Sequence, residues 1–183
     1  MLIRKKLRLW EFGGFLTVCA VGTLLPLLYA RTGENTFVAA FTGVNDSAWE
    51  RMKLLYLPYF VLTMAEYTVF AEPFRNFFAA KAAAGIGGLL LIPLLHYSLN
   101  GMFGAMPPWV DAVSFFISAA AMYLLGCRLL TTLSLRGTAM QVVSFLLLWG
   151  MMFLFILFTY RTPHLPLFRD PTTLSYGVSA VRP

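Results

Sequence analysis

Polar side chains are concentrated in two short segments of an otherwise apolar sequence. The first segment lies between Val44 and Leu54, and the second lies between Thr162 and Thr173. Histidine, carboxylate, amide and ammonium groups of this kind supply hydrogen bonds, proton transfer or metal ligands. We therefore treat seven side chains as one candidate polar site: Asn45, Asp46, Glu50, Lys53, His96, His164 and Asp170.

Metal binding is one chemistry that two histidines and several carboxylates allow. Neither His96 nor His164 stands four residues from a second ligand, so no spacing in the sequence is diagnostic of a metal. The alternative is hydrogen bonding that pins the C-terminal segment over the rest of the protein. We predict no metal and no cofactor, because the P-loop, G-x-S-x-G, H-E-x-x-H and dinucleotide fingerprints are absent from the sequence.

The first segment also has a structural interpretation. Ser47 and Glu50 fit a capping box, in which the Ser47 hydroxyl accepts from the Glu50 amide and the Glu50 carboxylate accepts from the Ser47 amide. The pattern predicts a helix that begins at Ala48. Arg51 and Lys53 would then extend their charged ends towards lipid headgroups.

Glu66 lies inside an apolar run, where an ionisable group costs about 2.5 to 3.5 kcal/mol even on an insertion scale. It therefore needs a partner. A hairpin turn near Phe74 and Arg75 places Lys81 close to the level of Glu66, so we predict an ion pair between them. The pair either fixes the register of the hairpin or supplies a carboxylate that couples to a proton or ion.

The composition places these residues in a membrane protein. The 183 residues are 59% hydrophobic and 12% charged, whereas a soluble domain has about a quarter charged and slightly under half apolar residues. The net charge of +6 does not indicate nucleic acid, because the basic residues stand at the ends of apolar runs. That pattern is typical of orientation in a bilayer and of contact with anionic lipid.

Five apolar segments are long enough to cross a hydrocarbon core of about 30 Å as helices. The stretch from Phe37 to Val44 is too short and is predicted to be interfacial or re-entrant. The predicted fold is therefore an all-α integral membrane protein with a single transmembrane domain over residues 1–183 and an ordered Pro-rich C-terminal tail. The predicted spans are residues 12–30, 54–71, 78–99, 109–130 and 140–160.

The distribution of Lys and Arg predicts the orientation. Four basic residues lie between Arg4 and Arg8, whereas the loop from Asn100 to Pro108 has none. Because cytoplasmic loops carry the excess of Lys and Arg, we predict a cytoplasmic N-terminus and an extracytoplasmic C-terminus in the inner (plasma) membrane. The two polar segments then emerge on one face, and the tail is expected to hydrogen-bond to the first segment.

The two segments resemble the motifs of a family of small bacterial multi-pass membrane proteins that is catalogued as a domain of unknown function. In that family the first reads approximately Val-Asn-Glu-Ser-x-Trp-Glu-His-x-Lys-Leu, and the second approximately Pro-Pro-His-x-Pro-Leu-Phe-x-Asp-Pro-x-Thr, followed by Tyr-Gly. Tyr176 and Gly177 match this ending, whereas Asp46 replaces Glu and Arg51 replaces His. The resemblance implies an architecture and a location, but no activity.

Three functions are open at this point, and so is the question whether the chain is an enzyme. The first is binding or transport of a small polar or amphiphilic solute from the extracytoplasmic face, with Glu66 as the coupling group. The second is an intramembrane enzyme that acts on lipid headgroups, with His96 or His164 as general base. The third is an accessory or scaffold subunit of a membrane complex. A five-span transporter lacks the inverted repeat of many secondary transporters and would need to form a homo-oligomer or join another membrane subunit.

Overall fold

The fold is all-α in the computed structural model, which describes residues 2–104, 106–132 and 134–178. This confirms the all-α part of the predicted fold class. Within these ranges six helices follow one another, and a 3-10 turn at Pro166–Phe168 lies in the C-terminal segment. The end of the predicted tail, residues 179–183, lies outside the described residues. The helices are α1 (Leu2–Arg31), α2 (Thr36–Ala39), α3 (Ala48–Phe70), α4 (Phe77–Phe103), α5 (Pro108–Thr132) and α6 (Thr138–Tyr160).

Among the described residues, four helices, α1, α4, α5 and α6, are long and apolar enough to cross a membrane. The predicted span over residues 54–71 falls on α3, which has sufficient length at 23 residues but is not one of the four. Fifteen of the 23 residues of α3 are buried, against four of 23 in α6. α3 is thus the central helix of the bundle, and its Glu50, Lys53 and Glu66 side chains are buried among the other elements.

α1 begins at Leu2, well before the predicted start at residue 12. Leu, Arg and Lys have high helix propensities, so the basic segment continues the helix without a break. The early start also places Glu11 inside the helix instead of ahead of it. The buried residues of α1 recur every three or four positions and form one face: Leu7, Glu11, Gly14, Val18 and Gly22.

α5 packs closely against both α1 and α4 because small residues allow the helices to approach. A Cβ atom added at Gly88 of α4 would lie 2.6 Å from the Cβ of Met122. A Cβ atom at Gly14 of α1 would lie 2.6 Å from the ring of Tyr123. Both glycines therefore fix the distance between neighbouring helices.

Trp49 joins the C-terminal segment to the bundle. Its ring centroid lies 4.6 Å from that of Phe155 in α6 and 4.6 Å from that of Phe168 in the 3-10 turn. Phe168 is buried, and the chain beyond it returns on itself through a bridge between Arg169 and Tyr176. The C-terminal segment therefore folds onto the bundle over its described residues.

The antiparallel order of the long helices gives the bundle two ends, and α3 carries buried ionisable groups near both. Lys53 lies close to the start of α3, and Glu66 lies close to its end. At 1.5 Å per residue, the thirteen residues between them span about 20 Å. We refer to the two regions as the Lys53 end and the Glu66 end.

Candidate functional site

Three ionisable side chains from three helices form a buried cluster at the Glu66 end. Lys81 Nζ of α4 lies 2.8 Å from Glu11 Oε1 of α1 and 2.6 Å from Glu66 Oε2 of α3. None of the three residues is more than 4% exposed. The pairing of Glu66 with Lys81 is present as predicted, whereas the participation of Glu11 was not foreseen. We call Glu11, Glu66 and Lys81 the triad.

The triad contains one more carboxylate than it contains ammonium groups. An unpaired charge in a buried site costs several kcal/mol, so a proton or a further cationic group is needed to balance the second carboxylate. Two of its oxygens, Glu11 Oε2 and Glu66 Oε1, have no hydrogen-bond partner among the described residues. The hydroxyls of Thr63 and Tyr123 are also buried and without such a partner there. The triad therefore has unused capacity to bind a proton or a polar ligand.

Aromatic rings surround the ammonium of the triad. Lys81 Nζ lies 6.0 Å from the ring centroid of Tyr59 and 5.8 Å from the centroids of Phe77 and Tyr123. The Tyr59 hydroxyl donates to the Lys81 carbonyl at 2.8 Å, which ties α3 to α4 beside the ion pairs. Ring faces stabilise a desolvated cation, so these contacts offset part of the cost of burying the ammonium.

A second buried ionic group lies at the Lys53 end. Lys53 Nζ lies 2.7 Å from Glu50 Oε2 and donates to the Ala39 carbonyl at 2.9 Å and to Thr159 Oγ1 at 2.8 Å. An ammonium group has three donors, and all three are used. The group ties together α2, α3 and α6, but it offers no free donor to a ligand.

The structure corrects two expectations for the first segment. Ser47 Oγ accepts from the Glu50 amide at 3.3 Å and α3 begins at Ala48, both as predicted. The carboxylate of Glu50 does not return to the Ser47 amide, because its Oε2 accepts from the Val44 amide at 3.1 Å and pairs with Lys53. Nor does Lys53 extend towards the surface: its side chain is fully buried because Glu50 neutralises it.

At the Lys53 end, the half-buried side chains of Arg51 and Asp111 line a cleft of about 220 Å³ between α1, α3 and α5, and His96 lies beside it. Arg51 Nη1 lies 2.6 Å from Asp111 Oδ1, and His96 Nδ1 lies 2.8 Å from the same oxygen. Asp46 and Phe115 also line this cavity, which we call the Arg51 cleft. A histidine beside a carboxylate is the arrangement of a general base and its orienting group, although here Arg51 shares that carboxylate.

His96 pairs with Asp111 across the loop between α4 and α5. Asp111 was not among the seven candidate residues. The sequence did contain a signal for this pair. α4 and α5 form a second hairpin, and the antiparallel pairing that places Lys81 opposite Glu66 in the first hairpin places Asp111 opposite His96 in the second. Arg51 of the first segment and His96 contact the same oxygen of Asp111.

His164 and Asn45 take peripheral positions. His164 is exposed, and its ring centroid lies 4.8 Å from that of Tyr176. Among the contacts of the described residues, none joins His164 to the first segment. The Asn45 side chain accepts from the Ser47 amide at 3.0 Å, so its oxygen serves the turn that precedes α3.

Asp170 brings the C-terminal segment to the first segment, as predicted. Its Oδ2 accepts from the Asp46 amide at 3.3 Å. Its Oδ1 accepts from the amide and hydroxyl of Thr172, at 2.7 and 2.6 Å, and from the Thr173 amide at 3.1 Å. Burial raises the pKa of the Asp170 carboxyl, but the four hydrogen bonds outweigh burial and hold that pKa below its usual range. Asp170 is therefore an ionised acceptor that shapes the tail.

The seven predicted residues thus occupy separate places instead of one pocket, and their action as one binding site stays a prediction. Within the described ranges, no group of three or more His, Cys, Asp or Glu side chains is placed to hold a metal ion. Three residues of these ionic groups were not among the predicted site residues: Glu11 in the triad, and Arg51 and Asp111 at the Arg51 cleft. Four placements result: Glu50 and Lys53 in the buried group, His96 beside the Arg51 cleft, Asn45, Asp46 and Asp170 at the tail contact, and His164 at the surface.

Comparison with known families covers nearly the whole chain. The family described as a family of unknown function, DUF6512, matches residues 2–178, and the chain belongs to it. This confirms the resemblance to an uncharacterised family. No curated protein and no solved structure matches the chain.

Proposed function

We propose that this DUF6512 protein crosses the membrane with five helices and transports a small polar or amphiphilic solute in exchange with, or together with, protons. Four helices meet the requirements of length and composition for a span, and the fifth, α3, is shielded from lipid by them. The protein lies in the inner (plasma) membrane, with its N-terminus in the cytoplasm and its C-terminal tail on the extracytoplasmic side. The charge asymmetry of the loops supports this orientation.

The excess carboxylate of the triad carries the proposal. An ion pair that only fixes the register of a hairpin needs one carboxylate for Lys81, yet both Glu11 and Glu66 contact it. A surplus buried carboxylate is costly unless it is protonated or meets a second cation. The triad therefore suits a site that exchanges a proton for a ligand charge.

The position of the triad supplies a route for that proton. Lys81 follows the start of α4 at Phe77 by four residues, which is about 6 Å along a helix. The triad thus lies about one helical turn from one aqueous face. Protons can reach it from that face without crossing the whole bundle.

The Arg51 cleft offers an entry site at the opposite end of the same helix. α3 contributes Arg51 to the cleft and Glu66 to the triad, so a rotation or shift of α3 changes both sites together. Five helices lack an inverted repeat, which many secondary transporters contain. The transporting unit is therefore a homo-oligomer or includes another membrane subunit.

Proton flux in proteoliposomes tests the proposal. Purified protein is reconstituted into vesicles that contain a pH-sensitive dye, and amino acids, polyamines, quaternary ammonium compounds and short organic acids are added in turn. We expect solute-dependent proton flux in the wild type and in Glu72→Gln, an exposed glutamate of the α3–α4 loop. Glu66→Gln should abolish this flux. A complete absence of flux with every compound class, or flux that survives Glu66→Gln, overturns the proposal.

The pairing of His96 with Asp111 favours an enzyme as the second candidate. A half-buried histidine held 2.8 Å from a carboxylate beside a cleft can act as a general base on a lipid headgroup. Incubation in vesicles of mixed phospholipids, followed by mass analysis of the lipids, tests this. Products that form with the wild type and not with His96→Ala would support the enzyme, and unchanged lipids would exclude it.

A further inference from the structure

A groove of about 350 Å³ between α1 and α5 opens beside the triad. Phe12 and Phe15 of α1 line one wall and Leu124 of α5 lines the other. Phe12 is 61% and Leu124 is 71% exposed, so in a membrane the groove faces lipid. An apolar groove on a lipid-facing surface accepts an acyl chain. We call it the α1–α5 groove.

One end of the groove is polar. Arg8 and Glu11 both line it and stand three residues apart on α1, which places them on one helix face with Cβ atoms about 5 to 6 Å apart. Tyr123 also lines this end, and both its hydroxyl and Glu11 Oε2 lack a hydrogen-bond partner in the described part of the chain. Glu11 is 4% and Tyr123 is 5% exposed. The groove therefore presents a cation next to a buried acceptor with unused capacity.

We propose that the α1–α5 groove binds an aminophospholipid of the phosphatidylethanolamine type. Its phosphate pairs with the guanidinium of Arg8, a charge-assisted contact that arginine makes well. Its primary ammonium donates to Glu11, and one acyl chain lies along Phe12 and Leu124. The inference rests on the proposed function in one respect: that function assigns an amphiphilic ligand to the triad, and the lipid is such a ligand.

Charge balance favours this headgroup over the other common ones. The ligand ammonium offsets the surplus carboxylate of the triad, and the ligand phosphate offsets Arg8. A phosphatidylglycerol headgroup would offer the same phosphate to Arg8 but no cation to Glu11. A phosphatidylcholine headgroup has the positive charge but no N–H to donate to the unpartnered oxygen.

Native mass spectrometry of the protein in detergent tests the selectivity. Phosphatidylethanolamine, phosphatidylcholine and phosphatidylglycerol with identical acyl chains are titrated separately. We expect an apparent Kd at least tenfold lower for phosphatidylethanolamine than for the other two lipids. Arg8→Gln should remove this preference. Lys5→Gln should retain it, because it removes the same charge from an exposed residue near the same helix end that does not line the groove.

A second variant guards against loss of folding. Glu11→Gln alters the triad as well as the groove, whereas Ala120→Leu fills the groove from α5 and leaves both polar groups in place. We expect Ala120→Leu to elute as a monodisperse species and to lose the preference. Equal affinity for the three lipids in the wild type, or a preference that survives Arg8→Gln or Ala120→Leu, overturns the inference. Lipid preference without solute-driven proton flux rejects only the proposed function, and proton flux without lipid preference rejects only the lipid site.

Discussion

The carboxylate of Glu11 lies 2.8 Å from the ammonium of Lys81, although 70 residues separate them in the chain. This contact links α1 to the hairpin of α3 and α4, so the triad joins three helices instead of two. It also makes the three members of the triad unequal. Glu11 and Glu66 share one counter-ion, whereas Lys81 has two.

Removing the ammonium is therefore expected to destabilise the protein more than removing one carboxylate. Lys81→Met leaves two carboxylates buried without a partner, which should cost about 3–5 kcal/mol. Glu66→Gln leaves Glu11 and Lys81 as a matched pair and should cost clearly less. The midpoint of thermal aggregation in detergent, followed by size-exclusion chromatography, measures both. Equal midpoints for the two variants would contradict the charge argument, and the exposed Glu72→Gln serves as the unchanged control.

In the buried group around Lys53, loss of the counter-ion should destabilise the protein more than loss of the hydroxyl. Glu50→Gln removes the only described counter-ion of a fully buried ammonium, and breaking such a pair costs about 3–5 kcal/mol. Thr159→Val leaves one ammonium donor unsatisfied and should cost about 1–3 kcal/mol. Thermal midpoints of the purified variants give the comparison.

Thr131→Val provides a matched control for the hydroxyl. The Thr131 side chain is exposed and donates only to carbonyls of its own helix among the described contacts, so its loss should change the midpoint little. A Thr159→Val midpoint equal to that of Thr131→Val would show that the third Lys53 contact contributes nothing.

Local features of the fold could be predicted from the sequence, because their causes lie within a few residues. The Ser47 cap and the start of α3 follow from one capping motif. The pairing of Glu66 with Lys81 follows from a short loop, which fixes the register of two antiparallel helices. The turn at Asp170 follows from an aspartate that precedes a proline.

Contacts between distant helices could not be predicted in the same way. The role of Glu11 depends on the rotation of α1 against α3 and α4, which apolar periodicity does not determine when all faces of a helix are apolar. The full burial of Lys53 depends on Thr159 of α6 and the carbonyl of Ala39. Neither partner lies in a motif with Lys53, so no spacing in the sequence indicated them.

The five-span arrangement predicts that the two ends of the chain lie on opposite sides of the membrane. Single cysteines at Lys5 and Leu174, both exposed positions, are introduced into a background with Cys19→Ala and Cys127→Ala. A membrane-impermeant thiol reagent added outside intact cells should label Leu174→Cys, and Lys5→Cys only after permeabilisation. Labelling of both positions from outside would exclude an odd number of spans.

The contact between Asp170 and Asp46 leads to a prediction about the docked tail. Asp170→Ala removes the acceptor of four hydrogen bonds, whereas Asp46→Asn should have little effect because Asp46 contributes its backbone amide. Loss of a buried acceptor costs about 1–3 kcal/mol, which should release the tail. The fluorescence anisotropy of a bimane label on Leu174→Cys reports the release. Equal anisotropy in the two variants would show that the carboxylate does not hold the tail.

The pH dependence of docking follows from the sign of the Asp170 pKa shift. The pKa of this carboxyl is lower in the folded protein than its usual value of about 3.9. Its contribution to stability is therefore complete above that value and is lost as the pH falls from there through the folded pKa. The anisotropy of the bimane label should stay constant from about pH 8 to about pH 5 and fall only below about pH 4. In the Asp170→Ala background the anisotropy should already be low at neutral pH and should lack this acid transition. A wild-type transition near neutral pH would mean that a group other than Asp170 controls the docking of the tail.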